Sequence, residues 1–372
     1  MGESDSQFER RKMDHLRWSL DERVQTSSLS DLDQIELVHE ALPEINFEEI
    51  SLNSSVSSSS SSVSSRQQLP WQVPFFVSSM TAGHEGSAHI NEALAGLSER
   101  HHILVGVGSQ RKELGNLQAS QEWRSLRKKF PGAILAGNLG LSQLIQIPEA
   151  KLQDQLGRLI ECLNAQVFFV HTNPLQEVLQ QEGTPQFRGG LRAIENLVKA
   201  IKIPVVLKEV GCGFSLETLK KLNGLGLYAV DLSGKGGTHW GRIEGARFEP
   251  NSPGYRVAQT FDNWGLTTLE SLLAVQGITC DYKIWASGGV RTGLDIAKMI
   301  TLGADMVGIA QPWLKAICGG PSQQPEDVAL RLDQLFARLS MELKISLFCT
   351  GCASVAELSR KKVWKWRKFP AN

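Results

Sequence analysis

Polar side chains stand at the end of nearly every short apolar run in this 372-residue sequence. Clear examples are His171 and Asn173 after one run and Lys208 after the next. A lysine at the end of a buried strand must pair with an anion or lose its charge, because burial penalises an isolated ion. Pairing with Glu209 or Asp231 is the structural alternative to a functional role for this lysine. The convergence of such groups at strand ends indicates an active site.

The loop after the first of these runs gathers a histidine, two amides and a carboxylate in one turn, residues 171–177. Its Glu177 can hold a hard divalent cation such as Mg2+, which keeps several waters and takes further ligands from substrate phosphates. Gln176 beside it can orient a substrate or a cofactor. This clustering favours a functional loop over a structural one.

A second signal is the segment 286–313, in which two apolar runs end in glycine and lead into helix-like stretches. Backbone N–H groups at such helix starts, helped by the helix dipole, form a cradle for phosphate. The alternative is that Gly288 and Gly289 only make tight turns, but the adjacent Arg291 favours a phosphate. The segment resembles the phosphate grip of flavin mononucleotide (FMN) barrels, and no Gly-x-Gly-x-x-Gly fingerprint after the first strand competes with it.

The elements that must position these groups alternate between short apolar runs and longer amphipathic stretches. This alternation is typical of a parallel sheet that is buried on both faces. Eight such units close into an α/β fold, the (β/α)8 TIM barrel, more naturally than into a doubly wound open sheet, the structural alternative. The predicted strands are 73–80, 103–109, 133–139, 165–173, 204–210, 227–233, 283–288 and 305–310. The predicted helices are 86–100, 120–130, 148–163, 191–201, 215–222, 267–276, 292–302 and a tail helix near 325–347.

Several parts of the chain extend or interrupt this barrel, which the pattern assigns to residues 73–347. Residues 1–72 precede the first strand, and we expect them to cover the barrel's bottom or to reach a neighbouring subunit. Residues 348–372 form a C-terminal tail. The tract 54–65 contains only Ser and Val, too few apolar groups to offset the entropy of ordering, which predicts a disordered insertion. The long connection 236–265 is typical of an active-site lid.

The composition excludes several classes of function. The 39 basic and 39 acidic residues cancel, so no global charge attracts nucleic acid or an anionic membrane. No stretch approaches the ~20 apolar residues of a membrane span, and the polar start lacks the apolar core of a signal peptide. The 6 cysteines are scattered, and Cys349-x-x-Cys352 lacks the second pair of a zinc site. We therefore expect a cytoplasmic protein that binds neither nucleic acid nor membrane.

Together these motifs resemble the type 2 isopentenyl diphosphate isomerases, which use FMN. The matching pieces follow the family's order and spacing between residues 10 and 358. The most selective are Arg11-Lys12-x-x-His15 and the cluster Asn173-x-x-Gln176-Glu177. The others are Met80-Thr81, Ser109-x-Arg111, Gly137-Asn138, Lys208-Glu209-Val210-Gly211, the segment 231–238, Trp240, the segment 287–291, Gly308-Ile309-Ala310 and Thr350-Gly351.

The resemblance implies a role for each matching residue. His171, Asn173 and Gln176 would line the catalytic site, and Glu177 would hold Mg2+. The residues implied to hold the flavin are Met80, Thr81, Ala82, Ser109, Asn138, Lys208, Ser233, Thr238, Gly289, Val290, Arg291, Ala310 and Gln311. The residues implied to bind the diphosphate substrate are Arg11, Lys12, Ser109, Gln110, Arg111 and Gln176.

The implied reaction is the reversible conversion of isopentenyl diphosphate to dimethylallyl diphosphate, a step of isoprenoid biosynthesis. Reduced FMN itself would donate and accept the proton, while the protein supplies position and electrostatics. NADPH would serve only to reduce the flavin. The family also implies a homo-oligomer, a tetramer or larger, whose N-terminal arm reaches the site of a neighbouring subunit.

Three departures and two competing interpretations accompany this resemblance. The tract 54–65 is foreign to the family's pattern. Ala82 stands where the family has Gly close to the flavin, and Thr172 stands where Leu is usual. An FMN-dependent barrel oxidoreductase of the 2-hydroxy acid oxidase type would need a histidine base beside an arginine, for which His239 and Arg242 are candidates. A non-catalytic flavin-binding protein would leave Glu177 and the N-terminal basic pair without a role.

Overall fold

Eight parallel strands close into a barrel in the computed structural model of the chain, which describes residues 5–26, 31–53, 70–80 and 87–367. Each barrel strand pairs with the next in sequence, and the last returns to pair with the first. The TIM-barrel prediction is confirmed, and the open doubly wound sheet is excluded. The strands are β1 (Ile35–Leu37), β2 (Phe75–Val77), β3 (Leu104–Gly106), β4 (Ile134–Gly140), β5 (Val167–Thr172), β6 (Val205–Glu209), β7 (Ala229–Asp231), β8 (Lys283–Ser287), β9 (Met306–Ile309) and β10 (Trp364–Trp366), of which β2 to β9 form the barrel.

Every predicted strand and every predicted helical segment is present, within a few residues of its expected bounds. Most strands are one to three residues shorter than predicted at one or both ends, although His171, Lys208 and Glu209 stay within the ladder. Short helices that follow these strand ends, such as α7 (Pro174–Leu179) and α10 (Trp240–Ala246), are additions to the prediction. The helices are α1 (Asp5–Ser19), α2 (Ala88–His101), α3 (Arg111–Gly115), α4 (Ser120–Lys129), α5 (Leu141–Ile145), α6 (Glu149–Leu163), α7 (Pro174–Leu179), α8 (Gly190–Ala200), α9 (Leu216–Leu222), α10 (Trp240–Ala246), α11 (Pro253–Thr260), α12 (Thr268–Val275), α13 (Gly293–Thr301), α14 (Gln311–Cys318), α15 (Pro325–Phe348) and α16 (Val355–Arg360).

Residues along the barrel strands alternate between the barrel interior and the surrounding helices. On β2, Phe76 packs inward against Phe169 and Trp285, with ring centroids 5.9 and 5.0 Å apart, whereas Phe75 packs outward. Trp71, just before this strand, lies edge-on to Trp285 at 5.9 Å and fills the amino-terminal end of the barrel. Burying each such aromatic side chain stabilises the fold by roughly 2–3 kcal/mol. The filled interior leaves the opposite end, the mouth, as the place for a ligand.

The segments that flank the barrel in sequence pair with each other. β1 and β10 form an antiparallel two-stranded sheet. It lies against the C-terminal half of α13, where Lys298 Nζ donates to the Leu32 carbonyl at 2.8 Å and Thr301 Oγ1 donates to the Lys361 carbonyl at 3.1 Å. Because α13 begins at the mouth, this sheet lies at the barrel's bottom. The domain limits at residues 72 and 347 remain a prediction.

The N-terminal helix α1 lies at the other end of the barrel and packs on α10 at the mouth. Together α10 and α11 account for half of the connection 236–265, the segment predicted as a lid. The predicted disordered tract 54–65 lies outside the described residues, as do Thr81 and Ala82. Within the described ranges, no helix has both the length and the apolar composition that a membrane crossing requires.

Candidate active site

Two adjoining cavities open at the mouth, with volumes of about 710 and 590 Å3 including the part open to solvent. The larger one lies between two surfaces of different construction. We call the surface built from the ends of β4, β5 and β6 the strand wall, formed by Asn138, His171 and Lys208. We call the opposite surface, built from α1, α7 and α10, the helical wall. It is formed by Arg11, Lys12, His15, Gln176, Glu177 and Trp240.

On the strand wall, two neighbouring side chains fix each other's orientation. Asn138 Nδ2 donates to the Val107 carbonyl at 3.1 Å, so its Oδ1 is left to accept from His171 Nδ1 at 2.9 Å. The imidazole therefore carries its proton on Nδ1 and keeps Nε2 as an acceptor. Burial, together with the charges of Lys208 and Lys12, lowers the pKa of His171 to about 3. His171 is therefore neutral near pH 7 and has no imidazolium proton to donate.

Lys208 ends the next strand and is buried at the base of the cavity, with 2% of its surface exposed. Its Nζ donates to the Glu209 carbonyl at 2.9 Å. Burial lowers the pKa of Lys208, although the Asp231 and Glu209 carboxyls act in the opposite direction. Burial also raises the pKa of Glu209 to about 8. As an ammonium, Lys208 has three N–H donors, so beyond the Glu209 carbonyl it can still donate to an electron-rich group in the cavity.

Beside the strand wall, the loops that follow β7 and β8 approach each other through glycines. Gly289 has a φ of +86°, and a Cβ there would lie 2.8 Å from the Gly236 carbonyl oxygen, so this position requires glycine. Arg291 Nη2 donates to Gln25 Oε1 at 2.9 Å, and its Nη1 donates to the Val290 carbonyl at 3.0 Å. These partners are neutral, so the half-buried guanidinium can still pair with an anion. The donor set and the close backbone fit the phosphate of FMN.

The helical wall includes α7, which Asn173 caps. Asn173 Oδ1 accepts from the Gln176 backbone N–H at 2.8 Å, and the side chain is buried. Glu177 follows, and both of its oxygens are oriented: Ser142 Oγ donates to Oε1 at 3.0 Å and the Thr184 N–H donates to Oε2 at 2.7 Å. Since each carboxylate oxygen accepts at two lone pairs, Glu177 is held in place yet can still bind a cation.

The buried carboxylate of Glu244, on α10, ties the helical wall together. It accepts from His15 Nε2 at 2.9 Å and from Arg247 Nη1 at 2.7 Å. Burial alone would raise the pKa of Glu244, but the charges and hydrogen bonds of His15 and Arg247 outweigh burial and hold it at about 2. Glu244 is therefore ionised at neutral pH.

Two glutamines extend this network to the substrate-facing groups. Gln176 Nε2 donates to Glu244 Oε1 at 3.3 Å. Gln180, in the amide orientation that satisfies both of its ends, donates to Glu244 Oε1 at 3.2 Å and accepts from Arg11 Nη1 at 2.7 Å. One carboxylate thus orients His15 on α1 and Gln176 on α7, and through Gln180 it also reaches Arg11 on α1.

The structure brings most of the predicted site residues to these two cavities. Ser233, Gly289, Val290 and Arg291 lie on the loops next to Thr238, and Thr81 and Ala82 fall outside the described residues. The predicted residues that line one or both cavities are Arg11, Lys12, Met80, Ser109, Arg111, Asn138, His171, Gln176, Glu177, Lys208, Thr238, Ala310 and Gln311.

Two predicted side chains turn away from the cavity. Gln110 is fully buried, donates from Nε2 to the Leu159 carbonyl at 3.1 Å and accepts from the Asn138 N–H at 3.1 Å. It braces the strand wall, so only its backbone is left to reach a diphosphate. Asn173 likewise acts on the site through the helix cap that positions Gln176.

Sequence reasoning misses Gln143, Gln180 and Glu244. Gln143 lines the larger cavity and donates to Ser142 Oγ at 2.8 Å. The available signal for Glu244 is its place in the connection 236–265, which the sequence predicts as an active-site lid. No comparable signal marks the two glutamines.

His239 and Arg242, the candidate base and arginine of a 2-hydroxy acid oxidase, form hydrogen bonds outside the two cavities. His239 is buried, donates from Nε2 to the Trp264 carbonyl at 2.8 Å and accepts from the Arg242 N–H at 3.3 Å. The Arg242 guanidinium donates to the carbonyls of Asp262 and Gln25. Neither side chain lines the two cavities, so this pair offers no base to a ligand there.

The barrel, its filled interior and the phosphate cradle define an FMN-dependent barrel enzyme. In agreement, the family model for FMN-dependent dehydrogenases matches residues 131–365. Among solved structures, a mandelate oxidase variant aligns at a TM-score of 0.56 and 15% identity over 96% of this chain and 98% of that one. A flavocytochrome b2 variant aligns at 0.60 and 18% over 94% and 82%. At such identities the likeness concerns the fold alone.

Curated relatives identify the family more narrowly. The isopentenyl-diphosphate delta-isomerase of Bdellovibrio bacteriovorus is 51% identical over 363 residues, 98% of this chain and 99% of that one. Those of Legionella pneumophila (strain Lens) and Nostoc sp. are 44% and 36% identical, and each alignment covers at least 95% of both chains. The chain belongs to the isopentenyl-diphosphate delta-isomerases of the FMN-dependent type 2 and is therefore an isomerase.

Proposed function

We propose that the protein interconverts isopentenyl diphosphate and dimethylallyl diphosphate, with Mg2+ on the diphosphate. When bound and reduced, FMN supplies the acid and base that move one proton off the substrate and another onto it. The observation that carries the proposal is the larger cavity, which places Arg11, Lys12 and Arg111 together with Glu177 and opposite the strand wall. Three cations and one carboxylate suit a metal-bound diphosphate, because the cations neutralise phosphate oxygens and the carboxylate completes the coordination of Mg2+.

The metal would depend on the substrate for most of its ligands. Among the described residues, no group of three or more His, Cys, Asp or Glu side chains could hold a metal ion. Glu177 would therefore be the protein's ligand, with diphosphate oxygens and water completing the shell, as Mg2+ commonly binds. Arg11 and Lys12 would hold the far side of the diphosphate.

The strand wall and the cradle would hold the flavin. Arg291, Thr238 and the glycine loops would take its phosphate, while Asn138, Lys208 and Met80 would contact the ring system. The remaining flavin contacts would come from Thr81, Ala82, Ser109, Ser233, Gly289, Val290, Ala310 and Gln311. Lys208 would favour an electron-rich, reduced ring, since a cation stabilises nearby negative charge. NADPH would serve as the reductant only, so substrate turnover has no net redox change.

The polar groups next to the substrate carbons would position rather than exchange protons. A neutral His171 and the amide of Gln176 can donate or accept hydrogen bonds, but neither is charged near pH 7. Asn173 and Glu244 would act through Gln176. We further propose a cytoplasmic homo-oligomer, a tetramer or larger. In the structure Arg11 and Lys12 line the cavity of their own chain, so an arm that serves a neighbouring subunit remains a prediction.

The test is an anaerobic incubation of the purified protein with FMN, NADPH, Mg2+ and isopentenyl diphosphate, followed by NMR. We expect dimethylallyl diphosphate only when the flavin is reduced and Mg2+ is present. Oxidised flavin and EDTA are the controls. Bound flavin and consumed NADPH without product would refute the isomerisation and turn attention to an oxidoreductase acting on 2-hydroxy acids.

A further inference from the structure

The short segment 24–26 of the N-terminal part lies directly on the phosphate cradle. The Thr26 N–H donates to the Gly237 carbonyl at 2.9 Å, and the His239 N–H donates to the Val24 carbonyl at 2.9 Å. Gln25 and Thr238 are paired between these two bonds as an antiparallel bridge. This segment therefore forms a backbone cover over the loop that follows β7.

The Gln25 side chain reaches the two side chains expected to bind the flavin phosphate. Its Oε1 accepts from Arg291 Nη2 at 2.9 Å, and its Nε2 donates to Thr238 Oγ1 at 3.0 Å. Only 9% of the residue is exposed, so water competes little for these bonds. A primary amide suits this place because it offers an acceptor to a guanidinium and two N–H donors to an oxyanion.

We propose that Gln25 is a phosphate ligand of the FMN site. Through Gln25, flavin binding then holds in place the N-terminal part of the chain, whose helix α1 carries Arg11 and Lys12. The guanidinium of Arg291 has five N–H donors, so it can hold the phosphate and the Gln25 oxygen together. The Gln25 NH2 group donates to Thr238 Oγ1 with one N–H and has a second N–H for a phosphate oxygen held by these two residues. This inference rests on FMN binding and not on the proposed isomerisation.

Two substitutions of Gln25 test the proposal. Gln25→Glu keeps the shape but pairs a carboxylate with Arg291 and sets a negative charge against the phosphate. Like charges placed together at a binding site cost several kcal/mol, so FMN affinity should fall by about a hundredfold. Gln25→Ala removes hydrogen bonds to a charged group and should weaken FMN by about tenfold. Gln34→Glu, an exposed glutamine of the same N-terminal part, is the matched control and should leave affinity unchanged.

The measurement compares FMN with riboflavin, which has the same ring but no phosphate, by quenching of flavin fluorescence in titrations of the apoprotein. We expect both Gln25 variants to lose FMN affinity while their riboflavin affinity stays within about twofold of wild type. Equal losses for both flavins would mean a general structural defect and would overturn the proposal, as would unchanged FMN affinity. If Gln25→Glu does not fold, the FMN-to-riboflavin ratio of Gln25→Ala decides. Failure of the isomerase assay with normal FMN binding would leave this inference standing.

The coupling between flavin binding and the site of Arg11 and Lys12 is measured separately. With inorganic pyrophosphate as the probe of the Arg11 and Lys12 site, saturating FMN should tighten pyrophosphate binding to the wild type by several-fold in calorimetry. In Gln25→Ala, measured at FMN concentrations that still saturate it, the gain should shrink because the fastening contact is gone. An undiminished gain in the variant would overturn the coupling.

Discussion

The two walls of the larger cavity are built by different means and differ in how their buried ionisable groups are stabilised. On the strand wall, neighbouring strands of the barrel ladder place Asn138, His171 and Lys208 side by side. On the helical wall, side chains from α1, α7 and α10 meet around the carboxylate of Glu244. Burial lowers the pKa values of His171 and Lys208 on the first wall and of His15 on the second. The distinguishing group is Glu244 of the second wall, whose carboxyl is held ionised by His15 and Arg247.

This difference teaches how one cavity can serve both a charged and an uncharged part of a substrate. An ionised, hydrogen-bonded surface suits a diphosphate and its metal. A wall whose histidine is neutral near pH 7 offers no imidazolium proton to a hydrocarbon that exchanges protons with one partner only. The walls also differ in what keeps them in place, since one depends on backbone pairing and the other on a single buried charge.

The largest effect should follow loss of the proposed metal ligand on the helical wall. We expect Glu177→Gln to lower kcat/KM by about a thousandfold, because a metal on a phosphoryl group contributes several kcal/mol of charge stabilisation. Steady-state assays across Mg2+ concentrations measure it, and FMN affinity should not change. Glu161→Gln, an exposed glutamate, serves as the control. Full activity of Glu177→Gln in EDTA would show that the helical wall binds no metal that the reaction needs.

Removing the central charge of the helical wall should cost stability. Glu244→Gln leaves His15 and Arg247 facing a neutral amide, and breaking a buried ion pair costs about 3–5 kcal/mol. Urea unfolding measures the loss. Because the pKa of Glu244 is depressed to about 2, its contribution is complete above the ordinary value near 4.5 and fades as pH falls toward 2. Equal stability of variant and wild type at pH 7 would show that the wall does not depend on this charge.

A smaller effect should come from the hydroxyl that orients the metal ligand. Ser142 Oγ donates to Glu177 Oε1, so Ser142→Ala leaves the carboxylate free to rotate. Loss of such a partner typically weakens metal binding by about tenfold. Electron paramagnetic resonance of free Mn2+, titrated in the presence of pyrophosphate, measures it without turnover. Ser142→Thr keeps the hydroxyl and should restore affinity. A Thr variant as weak as the Ala variant would argue that packing, not the hydrogen bond, matters.

The two walls also differ in how far the sequence predicts them. The strand wall follows from the pattern alone, because the last polar residue of each apolar run must reach the mouth of a closed barrel. The helical wall depends on contacts such as His15 with Glu244, 229 residues apart, which no local periodicity encodes. The family motif identifies Arg11 and Gln176, but not the carboxylate of Glu244, which orients Gln176 directly and Arg11 through Gln180. Gln110 shows the opposite error, since a motif position can face the core.

The smallest expected effect tests the neutral state of the strand wall. The pKa of His171 lies near 3, below its ordinary 6.5, so the folded chain stays unprotonated where the unfolded chain takes up a proton. Its contribution to stability is therefore complete above pH 6.5 and is lost as pH falls from 6.5 toward 3, by at most about 1.4 kcal/mol per pH unit.

His171→Gln keeps a hydrogen-bonding group but cannot titrate. Urea unfolding of both proteins at pH 7.5, 6.5 and 5.5 should show a steeper loss for the wild type below 6.5, while all other titrating groups cancel in the comparison. Parallel curves would mean that His171 takes up its proton in the folded chain as readily as in the unfolded one. The strand wall would then hold an imidazolium acid, which contradicts the proposal that His171 positions the substrate without exchanging protons.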